Sequence, residues 1–435
     1  MEQPEGFIED PSKVCLLKRS LYGLKQSPRQ WNLKFSNFLK DMNLEVSEYD
    51  HCVFYRKDPV LLIAIYVDDG IIFARDKREI DKVIRQLNNR FEVHLVETPA
   101  FLGFQIHRGT YGEIALHQTS YIRTILKRFN MEDSKPVDSP ISLSSTQALD
   151  LTPLDKSVPY REAIGSLMYA AVITRIEIAY AVGKASRHVE SPTQEDWIAV
   201  KRIFRYLRGR ESYSLVYRQV NDQDMTIYCD ADFAGDVDTS RSTTGSVFIY
   251  GGAPIQWKSQ RQALITLSST EAEFVSLCST VKEAIWLRRL GQNLGILDNK
   301  PTMIYCDNQS AIRIATNEKS VHRTRHMSVH ANYPREQIEN GEVAVEHIKS
   351  DQQLADMLTK PTTIQKFIVN TGRLMSTFAY ILCVSLFFLA IWNTGSDAYS
   401  FEKVDPMIWI PSENHVEVST TLYDQIGRAS CRERV

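Results

Sequence analysis

Residues 225–236 read MTIYCDADFAGD, an apolar segment that changes abruptly into a cluster of acidic residues. The apolar part predicts a β-strand over 225–229. Two more short strands are predicted at 246–250 and 255–258, and apolar residues at helical spacing predict a long helix over 269–290. Strand, helix, strand and helix follow in turn. Three strands before a helix, followed by alternating elements, predict a mixed β-sheet with helices packed against it.

Four acidic residues fall at the ends of these strands or inside these helices. Asp230 ends the first strand and Asp307 ends the predicted strand at 302–306, whereas Glu273 and Asp356 lie in the long helix and the final helix. Open α/β sheets place their sites at the carboxyl ends of strands, which is where the two aspartates stand. Taken one at a time, such acids are more often turn residues or helix caps. Their combination with the order of elements favours a functional site.

Metal-dependent hydrolysis of a phosphodiester requires such a set of converging carboxylates. Mg²⁺ prefers hard oxygen ligands, and in two-metal sites one ion activates a water while the other stabilises the leaving oxygen. Clustered carboxylates repel one another, so the cations that they bind would stabilise the cluster.

A second pair of acids, Asp68 and Asp69, lies between two apolar segments. Residues 61–67 read LLIAIYV and residues 71–74 read IIFA, which predicts a β-hairpin. Asp-Gly at 69–70 is a favoured pair for a tight turn, so on spacing alone both aspartates are turn residues.

A helix predicted from Thr193 carries a cluster of cations and begins with a capping box formed by Thr193 and Asp196. The cations could contact nucleic-acid phosphates in a salt-dependent way. Charge runs are equally common on exposed helix faces, so both interpretations stay open. These cations are Lys201, Arg202, Arg205, Arg208 and Arg210.

The composition argues against several other classes of protein. The 435-residue chain has a formal net charge of −2, so affinity for nucleic acid must come from local basic patches. Its seven cysteines form no CxxC pair, which argues against a zinc ribbon or a disulfide framework. His322, His326 and His330 are spaced by four, but no neighbouring cysteine or acid completes a zinc site, and we favour a structural role for them.

Several segments together resemble the ribonuclease H domain of Ty1/copia-type retrotransposons. They read YCDADFAGD at 228–236, RSTTG at 241–245, QWKS at 256–259, LSSTEAE at 267–273, CDNQSA at 306–311 and ADMLTK at 355–360. The resemblance implies hydrolysis of the RNA strand of RNA–DNA hybrids with Mg²⁺, or Mn²⁺ as the alternative ion.

The same resemblance assigns roles to individual residues. It implies that the catalytic, metal-binding residues are Asp230, Glu273, Asp307 and Asp356. The nearby acids Glu271 and Asp232 are the alternative candidates for metal binding. Only RNA offers 2′-hydroxyl groups, and Gln309 and Ser310, beside Asp307, are candidates for contacting them.

One segment departs from the family pattern. After HRTRH at 322–326, family members continue with a helix that resembles Ile-Asp-Ile-Arg-Tyr-His-Phe-Ile, whereas residues 327–334 read MSVHANYP. Pro334 is expected to break or kink a helix interior.

The first part of the chain resembles the palm of a copia-type reverse transcriptase and the segment after it. The resemblance implies that Asp68 and Asp69 are catalytic and bind metal. Family members carry a third metal-binding aspartate upstream of a segment that resembles MEQPEGF at 1–7. We therefore expect the polymerase site to lack its first aspartate and the chain alone to make negligible DNA. The matching segments are SLYGLKQSPRQW at 20–31, YVDD at 66–69, FLG at 101–103 and PYREAIGSLMY at 159–169.

Residues 362–435 resemble nothing in this family. The run 374–392 is almost wholly apolar and long enough to span a bilayer. The favoured alternative is that neighbouring DNA has been translated with the element, which makes a membrane a doubtful partner.

These observations predict an α/β and α+β multidomain chain. A partial reverse transcriptase palm and thumb occupies 1–140, a linker with thumb or connection helices occupies 141–221, and a ribonuclease H-like mixed sheet with flanking helices occupies 222–361. The tail at 362–435 includes the candidate membrane span 374–392.

The predicted function is metal-dependent cleavage of the RNA of RNA–DNA hybrids. Expected partners are the hybrid and the upstream polyprotein segments, in the cytoplasm (in virus-like particles) or the nucleus. The alternatives are an inactive element relic that only binds nucleic acid and a membrane-tethered protein.

Overall fold

The computed structural model describes residues 1–8, 10–18, 20–21, 23–67, 69–91, 93–94, 100–109, 112–143, 150–218, 224–316, 328–377 and 408–411. The chain divides into two compact units, one of Met1–Glu97 with Asp405–Val435 and the other of Thr98–Val404.

The described residues contain the helices α1 (Ser27–Asp41), α2 (Lys77–Asn88), α3 (Thr119–Arg128), α4 (Tyr160–Ile173), α5 (Ala179–Ser186), α6 (Gln194–Arg208), α7 (Ser269–Asn293), α8 (Gln309–Thr316), α9 (Ser328–Glu339) and α10 (Ile364–Leu374), and 3₁₀ turns at Ile176–Ile178 and Leu354–Leu358. The strands are β1 (Glu45–Val46), β2 (Val53–Arg56), β3 (Leu61–Tyr66), β4 (Asp69–Ala74), β5 (Ala100–Phe101), β6 (Phe104–Arg108), β7 (Ile114–His117), β8 (Tyr213–Tyr217), β9 (Thr226–Ala231), β10 (Thr243–Tyr250), β11 (Ala253–Arg261), β12 (Thr302–Cys306), β13 (Val343–His347), β14 (Ser376–Thr377) and β15 (Ile408–Pro411).

The first unit is built on an antiparallel sheet in the order β1-β2-β3-β4-β15. Helices α1 and α2 contribute Leu39 and Ile80 to a core that they share with Phe54 of β2. The predicted hairpin is confirmed as β3–β4, but its turn is not Asp-Gly. Tyr66 pairs with Asp69, so Asp69 and Gly70 both lie within β4 instead of forming the turn.

The second unit contains two sheets. One is antiparallel in the order β14-β8-β7-β6-β5, and the other has the order β11-β10-β9-β12-β13. In the latter, β11, β10 and β9 are antiparallel, whereas β12 runs parallel to both β9 and β13. This confirms the predicted mixed sheet with packed helices.

Helix α7 covers one face of the mixed sheet. Its side chains Phe274 and Leu277 are fully buried in a core with Ile227 of β9 and Ile304 of β12. The helix runs beyond the end predicted at 290, because Gly291 stays helical and the Leu297 side chain packs directly over it.

The other face of the sheet carries the 3₁₀ turn Leu354–Leu358 and joins the helical part of the unit. Leu358 of the turn and Val247 of β10 share one core with Phe204 of α6. Gly245 of β10 permits this packing, because a Cβ atom there would lie 3.0 Å from the Ala355 oxygen and 3.0 Å from Leu358 Cβ. Asp356, which was predicted to lie in a helix, lies in this short 3₁₀ helix.

A buried ion pair holds the segment between α4 and α5. The side chains of Arg175 and Glu177 are both 0% exposed, and Arg175 Nη2 lies 2.6 Å from Glu177 Oε1. Arg175 Nε donates a hydrogen bond of 2.7 Å to the same oxygen. The guanidinium also lies 5.8 Å from the ring centroid of Tyr213. Each charge therefore depends on the other for compensation.

Pro334 does not end the helix in which it lies. It stands inside α9, which continues to Glu339. The next residue, Arg335, is buried and its Nη2 donates a hydrogen bond of 3.1 Å to the Ile314 oxygen. The expected helix break is therefore absent from α9, and the contacts of Arg335 join this helix to α8.

Residues 362–377 of the tail belong to the second unit, whereas β15 belongs to the first. Phe367 and Leu374 of α10 are buried in the core shared with α6, and β14 pairs with β8. Of the predicted membrane span, residues 378–392 lie outside the described residues. Within the described ranges, no helix combines the length and apolar character needed to cross a membrane.

Candidate metal centre

Two aspartates are brought together by neighbouring parallel strands. Asp230 lies in the central strand β9, and Asp307 follows β12 directly. Tyr228 and Tyr305 are paired in this ladder, and each aspartate stands two residues beyond its tyrosine. Because β9 and β12 run parallel, both aspartates lie at the same edge of the sheet. The alternation of side chains along strands places them on the same face.

The third acid is supplied by the first turns of α7. Ser268 caps this helix by accepting a hydrogen bond of 3.2 Å from the Glu271 backbone N–H. Glu273 is buried, and its Oε2 accepts a hydrogen bond of 3.2 Å from the Ala231 N–H. One ligand oxygen from each of Asp230, Glu273 and Asp307 lies within 4.8 Å of the others.

The three-carboxylate cluster (Asp230, Glu273 and Asp307) suits a hard divalent cation. Burial raises the pKa of the Asp230 carboxyl, although the Lys360 ammonium lowers it in part. Burial also raises the pKa of Glu273, and the charge of Asp230 adds to the rise. Asp230 Oδ1 is buried without a hydrogen-bond partner. Oxygen ligands at this spacing, one of them unsatisfied, match the preference of Mg²⁺.

Asp356 is held differently from the other three predicted ligands. It is 2% exposed, and its Oδ1 lies 2.6 Å from Lys360 Nζ. Its other oxygen accepts from Lys366. Lys360 Nζ also lies 3.3 Å from Asp230 Oδ2, so a lysine links Asp356 to the cluster. The described residues thus bring three of the four predicted carboxylates into one ligand set.

The two alternative candidates have structural partners. Asp232 accepts a hydrogen bond from the Thr243 backbone N–H in the neighbouring strand. Glu271 Oε2 accepts one of 2.7 Å from the Leu267 N–H, at the start of α7. Neither belongs to the three-carboxylate cluster. Ser268 and Glu271 have the spacing of a capping box, but only half of it forms, because the Glu271 side chain accepts from Leu267 instead of from the cap residue.

The other predicted aspartate pair is only partly described. Asp69 begins β4 opposite Tyr66, whereas Asp68 lies outside the described residues. Trp31 Nε1 donates a hydrogen bond of 3.1 Å to the Val67 oxygen, which attaches α1 to the turn. The metal-binding role of these aspartates stays a prediction. His322 and His326 and the His330 side chain also lie outside what is described.

The cations of α6 contact their own chain. The predicted capping box of Thr193 and Asp196 is confirmed. Arg205 Nε donates a hydrogen bond of 2.8 Å to the Lys135 oxygen, and Arg208 donates to the Glu132 oxygen. Lys201 and Arg202 are partly exposed on the same helix. Gln309 and Ser310 are exposed at the start of α8, beside Asp307.

Sequence reasoning missed a basic groove along β11. The groove has a volume of about 1160 Å³ and is bordered by α4, α5 and β11. Glu190 is the acid among its lining residues. The cations come from four separated segments, which is why no local charge pattern revealed them. They are Arg161, Arg187, Arg241, Lys258 and Arg261.

Sequence reasoning also missed the lysine and the threonine that contact Asp230. Thr359 and Lys360 both contact Asp230 Oδ2. They end the segment ADMLTK, whose resemblance to the family was a signal that could have found them. Ser350, whose Oγ donates a hydrogen bond of 2.7 Å to Asp307 Oδ2, carries no such signal.

Comparisons with known proteins give matches over most of the chain. The family described as reverse transcriptase (RNA-dependent DNA polymerase) matches residues 1–143. The chain is 41% identical over 381 residues to the retrovirus-related Pol polyprotein from transposon TNT 1-94 of Nicotiana tabacum, covering 84% of this chain and 28% of that protein. It is 37% identical to the Pol polyprotein from transposon RE1 of Arabidopsis thaliana, over 86% of this chain and 26% of that protein. The chain thus spans about a quarter of these relatives.

A shorter relative is covered almost completely. A transposon Ty5-1 protein of Saccharomyces cerevisiae is 32% identical over 65% of this chain and 94% of its own length. Among solved structures, LC11 ribonuclease H1 from compost is 18% identical over 32% of this chain and 94% of that chain, with a TM-score of 0.26. The foamy viral protease-reverse transcriptase, solved with an RNA/DNA hybrid, is 15% identical over 79% and 40%, with a TM-score of 0.46.

Proposed function

The chain belongs to the Ty1/copia-type retrotransposon Pol polyproteins, and from that premise we propose that it hydrolyses the RNA strand of RNA–DNA hybrids. The reaction takes place at Asp230, Glu273 and Asp307 and depends on Mg²⁺ or Mn²⁺. The observation that carries this proposal is the convergence of three carboxylates from β9, α7 and the end of β12 within 4.8 Å.

The residues of the cluster hold the reacting groups in place. Asp230, Glu273 and Asp307 would hold Mg²⁺, which would activate a water and stabilise the leaving oxygen. Glu273 accepts a hydrogen bond from the Ala231 N–H, Asp307 from the Ser350 hydroxyl and Asp230 from Thr359 and Lys360. All three ligands are therefore oriented by hydrogen bonds. The water oxygen bonds to phosphorus, the bond from phosphorus to O3′ breaks, and O3′ takes a proton. The products carry a 5′-phosphate and a 3′-hydroxyl.

The substrate is held by groups on either side of the cluster. Gln309 and Ser310 are exposed beside Asp307, where contacts to 2′-hydroxyl groups would select RNA. The basic groove along β11 holds the sugar–phosphate backbone. Arg187 and Arg261 there are paired with Asp236, and Lys258 is paired with Glu283. Arg161 and Arg241 are therefore the groove cations most available to phosphates.

Replacing Arg161 and Arg241 with glutamine should weaken binding of the hybrid. Each phosphate contact contributes about 0.9 to the slope of log affinity against log salt, so the slope should fall by about 2 in the double variant. Fluorescence anisotropy at several salt concentrations measures it. The control is a double variant of the exposed Lys127 and Lys156, which lie outside the groove. An equal loss in both variants would contradict a groove-specific role.

Cleavage by the full chain tests the proposal directly. A hybrid labelled on its RNA strand is incubated with Mg²⁺, with Mn²⁺ or with a chelator, beside duplex DNA of the same sequence. We expect cut RNA only with a divalent ion and no cut DNA. If the chain binds the hybrid and cuts nothing, the second candidate, an inactive nucleic-acid binder, takes its place. Arg205 and Arg208 of α6 donate hydrogen bonds to backbone oxygens of this chain, so they do not specifically support the inactive nucleic-acid binder.

The reverse transcriptase part is the subject of a narrower proposal. Residues 1–143 match the reverse transcriptase family, and we place Asp68 and Asp69 in its metal site. Whether the chain lacks the first aspartate of that site stays a prediction, as does negligible DNA synthesis.

A further inference from the structure

Two lysines occupy the side of the cluster that faces Asp356. Lys360 Nζ lies 3.3 Å from Asp230 Oδ2 and 2.6 Å from Asp356 Oδ1. Lys366 contacts the second oxygen of Asp356 and donates a hydrogen bond of 2.5 Å to the Ser350 oxygen. The carboxylates of Asp230 and Asp356 therefore face one ammonium group.

Both the backbone and the side chain of Lys360 are held by neighbouring groups. Lys360 follows Asp356 by one helical turn, and its N–H donates a hydrogen bond of 3.2 Å to the Asp356 oxygen. The Lys360 side chain is 42% exposed, whereas those of Asp230 and Asp356 are 1% and 2% exposed. The ammonium group of Lys360 therefore reaches two buried carboxylates from the solvent side. Those carboxylates need a cation, because burying their charge without one is costly.

The charge of this lysine is compensated by two carboxylates. Its Nζ lies 3.3 Å from Asp230 Oδ2 and 2.6 Å from Asp356 Oδ1. A lysine ammonium and a divalent cation satisfy the same oxygens and cannot share one position.

We propose that Lys360 is the resident cation on the Asp230–Asp356 side of the site, and that a second metal ion binds there only when Lys360 leaves. The inference rests on the proposed metal-dependent function. The three-carboxylate cluster then binds its first Mg²⁺ ion without moving Lys360, because the lysine contacts Asp230 Oδ2 and leaves Oδ1 without a hydrogen-bond partner. The second ion competes with an internal charge and binds much more weakly.

Calorimetric titration of the full chain with Mg²⁺, without nucleic acid, tests the proposal. All chains carry Asp68→Asn and Asp69→Asn, which remove the other proposed metal site. With Lys360 in place we expect one bound ion, with a second at least about tenfold weaker. In Lys360→Met the second ion should bind at least about tenfold more tightly than with Lys360 in place. The matched control is Lys349→Met, which removes an exposed lysine of the same region and should leave both affinities unchanged. Two ions of equal affinity with Lys360 in place would overturn the proposal.

A second variant covers the case in which Lys360→Met does not fold, because it leaves two buried carboxylates without their cation. Lys360→Arg keeps the positive charge and should bind one ion, as the chain with Lys360 does; a tight second ion in this variant contradicts the proposal. Binding is measured without substrate, so the outcomes separate from those of the hydrolysis test. A chain that cuts no RNA but gains the second ion in Lys360→Met retains this inference and loses the proposed function.

Discussion

The variant Asp307→Asn should hydrolyse the RNA of a hybrid at least about 100-fold more slowly than the wild-type chain, since losing one charged group at a preorganised electrostatic site costs that order. Asp307 provides one of the three cluster oxygens and is the most exposed of the three acids. Asparagine has the same shape and can still accept the hydrogen bond from Ser350. The change therefore removes charge from the site with little effect on the fold.

The value of kcat/KM for a labelled hybrid, measured with the full chain at saturating Mg²⁺, gives the size of this effect. The circular dichroism spectrum of the variant should match that of the wild type, and its affinity for the hybrid should stay within about twofold. These two results separate a loss of chemistry from a loss of structure. Asp351→Asn is the matched control, because it removes a nearby exposed carboxylate that lies outside the cluster. If Asp307→Asn and Asp351→Asn cleave equally fast, Asp307 is not a ligand of the reacting centre.

The second large effect is on stability. Glu177→Gln should lower the free energy of unfolding of the second unit by about 3–5 kcal/mol, the usual cost of leaving one member of a buried ion pair uncompensated. Arg175 is 0% exposed, and Glu177 is the acid that approaches it, at 2.6 Å. The amide of glutamine can accept a hydrogen bond but cannot neutralise the guanidinium.

Urea denaturation followed by circular dichroism measures this loss. Glu132→Gln, an exposed acid in the same unit, should change the stability by less than about 0.5 kcal/mol. The double variant Arg175→Met with Glu177→Leu removes both charges and should stay within about 1 kcal/mol of the wild type, because burying an apolar pair avoids the desolvation penalty. A double variant as unstable as Glu177→Gln would show that the pair's shape, not its charge, matters.

The order of elements already indicated that Asp230, Glu273 and Asp307, the three acids of the cluster, would lie close together. Asp230 and Asp307 end neighbouring parallel strands, and the N-terminus of α7 lies at the same edge, so strand polarity alone brings their side chains together. The contacts of Asp356 could not be predicted in the same way. Its lysine partners depend on how the 3₁₀ turn and α10 pack on β10, which is a tertiary matter.

Charge patterns along the sequence were a weaker guide to the substrate surface. The cluster of arginines on α6 is conspicuous, yet Arg205 and Arg208 donate to backbone oxygens of residues 132–135, about 70 positions earlier in the chain. The basic groove gathers cations from distant segments and left no local trace. The hairpin was correct as an element, but its turn shifted because Tyr66 pairs with Asp69.

The packing of α10 has a practical consequence for anyone who expresses part of this chain. Phe367 lies 5.7 Å from Tyr206, ring centroid to ring centroid, and Asn370 Nδ2 donates a hydrogen bond of 3.2 Å to the backbone oxygen of Gln353, whose side chain donates to Cys229 of β9. A recombinant fragment cut at residue 361, where the family motifs end, would lose these contacts together with Lys366. Cutting after residue 377 keeps α10 and β14, and so preserves these contacts.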